Sequence, residues 1–469
     1  MVEISTEDKL YFIGIGGYGM SGIAQILHQL GYKVKGSDIK NSETIKRLSS
    51  LGIPIYIGHK PENIGDSTVV VVSSAVHDDN PELIEARRRN LVVLKRGEML
   101  AYLMNKKRSI GVAGAHGKTT LTSMIGLILD IGGFSPTVIV GGEATDIGGT
   151  ARLGNGELLV AETDESDGSF LYLFPNIEVI TNVDNDHLDY YKDIENIKKA
   201  FIKFTEQAKE SVFVCGDDEF LKDVTLKREK IKYGLNDYNT YSAKNINLTE
   251  NGSVFEATKE GKSIGSIELS IPGLHNIRNA LGAIAVADWL GIPWDSIYRA
   301  LKIFKGVNRR LQICDTIGNL KIVEDYAHHP TEIRASLEAV RLLANGKRVI
   351  LIFQPHRYTR TYYLYREIAS SVSIADYIFL LDIYPASEVP IEGVDSGLIL
   401  NNLLPLNKNS KWIKDREILE YELEKVGLDD SIIVFMGAGD IDCIRKQVVS
   451  KLKEKLEDMS QSHLILRSR

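Results

Sequence analysis

The stretch Gly114-Ala-His-Gly-Lys-Thr-Thr120 has residue types and a spacing that state a chemistry directly. It follows the apolar run Arg108 to Ala113 and opens an apolar segment of helical periodicity. A glycine-rich turn between a strand and a helix aims backbone N–H groups at phosphate oxygens, and the helix N-terminus adds the positive end of its dipole. In such a turn Lys118 reaches the outer phosphates of a nucleoside triphosphate and the Thr119 hydroxyl sits on Mg²⁺. Gly114, Ala115, His116, Gly117 and Thr120 complete the cradle. The strict pattern wants a glycine five residues before Gly117, where Val112 stands, so the loop is a shortened form entered through Gly114. The plain alternative is an ordinary helix cap. The strand before, the helix after and the two hydroxyl residues favour the phosphate loop.

Four further clusters carry chemistry. Gly14-Ile-Gly-Gly-Tyr-Gly19 matches G-x-G-x-x-G after the first apolar strand, and Asp38 falls near the end of the second, where a ribose-binding acid belongs. A nicotinamide dinucleotide, a uridine diphosphate and a ligand-free tight turn are all compatible with this spacing. Glu162, Asp164, Glu165 and Asp167 place four carboxylates within six residues at a strand end. Their repulsion is relieved by a hard cation beside a triphosphate or by solvent, and Glu162 is the first candidate ligand. A second strand ends in Asn182, Asp186 and His187, where the imidazole could bind metal or orient a phosphate. Asn276 and Asn279, i and i+3 near a helix start, could read the edge of adenine, or Asn276 could simply cap. In the last third, Asn308-Arg-Arg310, Glu324-Asp-Tyr-Ala-His-His-Pro-Thr331 and Gln354-Pro-His-Arg-Tyr-Thr-Arg-Thr361 follow linkers or strands. Arg357 and Arg360, three apart at a helix start, suit a carboxylate.

Something must hold these groups at strand ends, and the pattern of the chain supplies it. Short apolar strands alternate with helices three times over, which predicts parallel sheets with right-handed crossovers. The expected fold is α/β in three domains. Residues 1–106 are Rossmann-like. Residues 107–307 form a central P-loop ATPase domain, a parallel sheet with a small antiparallel patch over 233–271. Residues 308–469 form a second Rossmann-like α/β domain. The 469 residues, 43% hydrophobic and 25% charged, are too many for one core and typical of a globular protein. A net charge of −7 argues against nucleic acid as a partner, and no apolar run is long enough for membrane insertion. Three widely spaced cysteines and a polar N-terminus point to the cytoplasm.

Taken together these motifs resemble the Mur ligase family, and within it the members that add L-alanine to UDP-N-acetylmuramate. The resemblance runs from Gly14 to Gly439 and rests on Gly14 to Gly22, the Gly-Ala-His-Gly-Lys-Thr loop, Glu162 with Ser166-Asp167, Asn182 with Asp186-His187, His275-Asn276 with Asn279, Arg309-Arg310, and the segments beginning at Asp325 and Gln354. It implies a nucleotide-sugar domain, an ATP-binding ligase domain and an amino-acid domain. The implied reaction passes the γ-phosphate of ATP to the muramate carboxylate, and alanine then displaces phosphate. Gly14, Gly16, Gly17, Gly19, Met20, Ser37, Asp38, Ser73 and Ser74 are the implied sugar-nucleotide contacts. Thr119 and Glu162 would hold one Mg²⁺, and Glu162 and His187 a second. Arg310 and Asp325 would reach ATP when the domains close, and Tyr326, His328, Arg357 and Arg360 would place alanine and the intermediate. The catalytic candidates are thus Lys118, His187, Arg310, His328, Arg357 and Arg360, in a monomer or weak homodimer. Two positions depart from the wider family. Ala115 stands where relatives often carry threonine, and Phe201 stands where sister ligases carry a carbamoylated lysine, with Lys199 and Lys203 nearby.

Overall fold

In the computed structural model, residues 3–386 and 388–467 are described; the side chains of Asp189 and of residues 455–467 lie outside that description. The chain packs as two compact units. One comprises Met1–Asn247, Gly252–Ile271 and His275–Asn308; the other is Arg309–Arg469 with the short pieces Leu248–Asn251 and Pro272–Leu274.

The first unit holds two sheets. Five parallel strands lie in the spatial order Ile55–Ile57, Lys33–Asp38, Lys9–Ile13, Val69–Val72, Val92–Lys95. The order reverses beside Lys9–Ile13, which opens a crevice at its carboxyl end, where Gly14 begins the glycine turn. The second sheet has ten strands. Its parallel centre is Ser211–Cys215, Ile177–Ile180, Arg108–Ala113 and Leu158–Glu162, so three motif-bearing turns leave the same edge. These strands read as unbroken apolar runs because helices cover both faces. The expected antiparallel patch is present as the Gly252–Lys259 and Lys262–Leu269 pair.

The sequence reading missed two elements here. The hairpin Thr137–Ala144 with Gly149–Arg152 extends the ten-stranded sheet. Helix Arg96–Asn105 precedes the basic stretch Asn105 to Arg108 and was not expected from the sequence. This helix is buried nearly all round, from Met99 to Met104. It belongs to one continuous apolar cluster that includes Leu10, Ile23 and Met99 together with Phe170, Phe201 and Val212. The first 106 residues therefore share a core with the part of the chain that carries the Gly114–Thr120 turn. Phe170 is central to it: its ring meets Phe201 at 5.3 Å and Phe204 at 4.9 Å.

The second unit carries a six-stranded sheet in the order Gln312–Ile317, Leu320–Asp325, Ser431–Met436, Arg348–Phe353, Tyr377–Leu380, Ser410–Trp412. All pairs are parallel except the first, an antiparallel edge that the sequence did not announce. Helices Pro330–Ala344 and Tyr358–Val372 start from the ends of two of these strands. The α/β class, the mostly parallel sheets and the small antiparallel patch are as expected. Because Phe170 is fully buried, Phe170→Ala should cost about 3–5 kcal/mol of stability in urea unfolding.

Candidate active site

The phosphate turn is built by its neighbours as much as by its own residues. Gly114 (φ +136°) and Gly117 (φ +82°) occupy conformations that favour glycine. Gly117 caps helix Lys118–Ile131 without a side-chain cap, which leaves the helix N-terminus free for an anion. The next strand end grips the turn. The Thr181 hydroxyl donates to His116 O at 2.6 Å, Asn182 Nδ2 donates to the same oxygen at 3.0 Å, and Asn182 Oδ1 accepts from His116 N–H at 2.9 Å. The His116 ring, with Nε2 3.0 Å from Asp184 Oδ2, is held in turn. A Cβ on Gly117 would lie 2.8 Å from Asn279 Oδ1. The buried Asn279 therefore lies directly on the turn, with buried Asn276 one helical step earlier.

Lys118 is nearly enclosed. Its ammonium donates to the carbonyls of Gly114 and Ala115 and to Glu165 Oε1 at 2.7 Å. Burial works against the charge, yet Glu165, Glu162 and Asp164 more than offset it and hold the Lys118 pKa above its usual value. Glu165 is 2% exposed, and its Oε2 has no hydrogen-bond partner. Burial pushes its pKa up to about 7, against the pull of Lys118. His187 Nε2 lies 3.9 Å from Glu165 Oε1 and 3.8 Å from Asp186 Oδ2, and the residue adopts φ +57°. Glu165 thus joins Lys118 to His187, a role that its position in an acidic run did not disclose.

Glu162 turns the other way and accepts from Gly141 N–H at 2.7 Å. A Cβ on Gly141 would meet its Oε1 at 2.5 Å, and one on Gly142 would lie 3.3 Å from Thr119 Cγ2. The missed hairpin therefore brings Thr119 and Glu162 to one place, with Gly-Gly as the signal that could have revealed it. Thr120 is buried in the first turn of the helix. Phe201 is buried in the apolar core, and Lys199 and Lys203 are exposed, so the helix Ile194–Thr205 turns no lysine from these positions inward.

At the other glycine turn, Gly14 has φ +77° and stands against Ser73, whose Cβ would be 3.1 Å from an added Cβ. Asp38 serves the turn itself, with Oδ2 accepting from Gly16 N–H at 2.9 Å and Oδ1 from Lys40 N–H at 3.1 Å. Gly17 caps helix Tyr18–Gln29, Gly19 lies in its first turn, and Ser74 is exposed nearby. The side chains of two further candidates, Met20 and Ser37, are buried. Met20 is buried in the core, and the Ser37 hydroxyl is buried against Glu82 Oε2 at 2.5 Å and His59 Nδ1 at 3.1 Å.

In the second unit Arg309 and Arg310 flank the Tyr326 ring, their guanidinium carbons 4.9 and 5.3 Å from its centre. Arg310 donates to Glu332 Oε1 at 3.0 Å; burial opposes its charge, and Glu332 and Asp325 restore it. Asp325 accepts from the N–H groups of Leu311 and Ala327 at 2.8 and 2.7 Å. A row of rings follows: Tyr326 to His328 at 5.5 Å, His328 to His356 at 5.5 Å, and His356 stacked on Tyr384 at 5.7 Å. His356 and Tyr384 were not among the expected residues. Buried Arg360 bonds His356 O at 3.1 Å, whereas Arg357 (φ +71°) points its guanidinium to Glu388 Oε1 at 3.9 Å. Different partners therefore engage the two guanidinium groups.

Three family models match in series: the Mur ligase family catalytic domain over residues 9–108, the Mur ligase middle domain over 112–287, and the Mur ligase glutamate ligase domain over 309–439. The chain belongs to the Mur ligase family. Among Mur ligases it is similar to the UDP-N-acetylmuramate–L-alanine ligase of Geobacter sp. strain M21, 44% identical over 96% of this chain and 99% of that one. The enzyme of that name from Aquifex aeolicus is 46% identical over 92% of this chain and 95% of its own length. A solved UDP-N-acetylmuramate–alanine ligase from Thermotoga maritima is 30% identical, covers 95% of this chain and 99% of its own, and superposes with a TM-score of 0.82.

Gly117→Ala should abolish triphosphate binding in a calorimetric titration while leaving the far-UV circular dichroism native. The added methyl meets both a forbidding φ and the Asn279 amide.

Proposed function

We propose that this chain is an ATP-dependent ligase that joins L-alanine to the carboxylate of UDP-N-acetylmuramate through an acyl phosphate, a step in making peptidoglycan precursors. One observation carries the reading. A phosphate turn holds its lysine among three carboxylates, in a chain whose relatives of equal length are named for this reaction.

The chemistry asks for this arrangement. A carboxylate attacks a γ-phosphate poorly because both are anionic, so fixed positive charge must meet the charge that develops. The Gly114 to Thr120 turn offers its N–H groups and Lys118 its ammonium to the β- and γ-phosphates. Asn276 and Asn279 are assigned to the adenine side. The donors near the turn suit a hard cation: the Thr119 hydroxyl, the Glu162 carboxylate, and in Glu165 a buried oxygen with no partner. Thr119, Glu162 and His187 would hold Mg²⁺, which neutralises phosphate charge when bound. Arg310 and Asp325 are assigned to the nucleotide, and Tyr326, His328, Arg357 and Arg360 to alanine and the tetrahedral intermediate. Gly14, Gly16, Gly17 and Gly19, with Ser73 and Ser74, are assigned to the sugar nucleotide.

No helix among the described residues is long and apolar enough to cross a membrane. A cytoplasmic monomer or weak homodimer fits substrates that carry nucleotides.

Phosphate release should require UDP-N-acetylmuramate and L-alanine together; release that ignores either one ends this reading. Lys118→Ala should abolish turnover and leave UDP-N-acetylmuramate binding intact. Arg360→Ala should raise the alanine KM tenfold or more with little change in ATP affinity, as expected for the loss of a charge-assisted bond. An unchanged alanine KM moves the amine pocket elsewhere.

A further inference from the structure

Arg96 is the first residue of helix Arg96–Asn105, and it touches the Gly14–Gly19 turn and the acidic loop that follows strand Leu158–Glu162. A Cβ on Gly19 would lie 3.2 Å from Arg96 Cδ and 3.3 Å from Nη1, so the guanidinium lies against the opening turn of helix Tyr18–Gln29. That helix has no side-chain cap and no acidic residue in its first turn. Nη2 of the same guanidinium donates to Asp164 Oδ2 at 2.8 Å and to Ser169 Oγ at 3.3 Å. Asp164 stands between Glu162 and Glu165 in sequence, and its charge is one of those that act on Lys118. The side chain of Arg96 is only 12% exposed.

The backbone behind this contact is fixed. Lys95 N–H donates to Glu98 at 2.7 Å in a capping box, and a Cβ on Gly97 would lie 2.6 Å from Ser169 Cβ. These contacts set the position of the helix start that carries the guanidinium.

We infer that Arg96 is a binding and coupling residue: it contacts the diphosphate of the nucleotide sugar at the Gly14–Gly19 turn and links that contact to the triphosphate site through Asp164. The inference rests on the function proposed above. A diphosphate offers a guanidinium two or more anionic oxygens in a forked geometry, where Asp164 engages one nitrogen. Sugar binding draws Arg96 from Asp164, and the freed carboxylate changes the field at Lys118. Linkage makes the effect reciprocal, so ATP changes sugar affinity by the same factor.

The test is equilibrium titration of UDP-N-acetylmuramate and of a non-hydrolysable ATP analogue with Mg²⁺, each alone and in the presence of the other. The proteins are the parent chain, Arg96→Gln, Arg96→Lys and Asp164→Asn. Arg96→Gln should weaken sugar binding at least tenfold and remove the influence of sugar on analogue affinity, with Arg96→Lys recovering part of both. Asp164→Asn should bind sugar as well as the parent or better, yet lose the coupling. Equal weakening of sugar binding by Arg96→Gln and Asp164→Asn would mean a merely structural ion pair and overturn the inference. So would parent-like sugar binding in Arg96→Gln, or a parent chain in which neither ligand affects the other. A parent chain that does not bind UDP-N-acetylmuramate at all overturns the functional reading as well.

Discussion

A lysine ammonium taken out of water must be compensated, and in this chain the compensation organises the site. Lys118 is held by two carbonyls of its own turn and by Glu165, with Glu162 and Asp164 close enough to act on it. Each of those acids is tied down in turn. Glu162 is fixed by a backbone amide of the hairpin and Asp164 by Arg96, while Glu165 lies near His187. Removing one member of a buried charge set leaves another uncompensated, so the set behaves as a unit. In the proposed reaction a triphosphate at this turn would bring its own negative charge to Lys118 beside these carboxylates.

The fold delivers these groups by repetition of one device. Parallel strands run to a common edge and release turns there, and the glycines of those turns admit what a side chain would block. At Gly117 the excluded space is taken by Asn279, at Gly141 by Glu162, and at Gly16 by Asp38, whose Oδ2 would meet a Cβ at 2.8 Å. Specificity of placement here comes from missing atoms as much as from present ones. The second unit uses a different device. Arginine and tyrosine stack, histidines follow, and the row ends on Tyr384.

Sequence reading located the glycine turns, Lys118 and the motif-bearing strand ends because each is a local pattern of a few residues. It gave the α/β class because alternation of apolar strands and helices survives without any tertiary knowledge. It missed helix Arg96–Asn105 because a helix buried on all sides has no amphipathic stripe to read. The Thr137–Arg152 hairpin was hidden by Gly141, Gly142, Gly148 and Gly149, which read as loop. Glu165, Thr181 and Asn182 gained their roles from contacts between strand ends far apart in the chain. The burial of the Ser37 and Met20 side chains was not legible either, because position beside a glycine turn does not say which way a side chain points. The choice between a dinucleotide and a nucleotide sugar also lay outside the spacing of the first turn, and the nucleotide sugar is favoured only by the resemblance of the whole chain.

The continuous apolar cluster that runs from Leu10 through Met99 to Phe170 and Val212 has a consequence for ancestry. Lobes that meet only through polar linkers can be exchanged between related genes by recombination, since each brings its own interior. Here a crossover near residue 106 would cut through shared packing, and a foreign first lobe would arrive with knobs that do not match these holes. Residues 1–106 and the part of the chain that follows them are therefore expected to descend together as one inherited block, diverging in step rather than being shuffled.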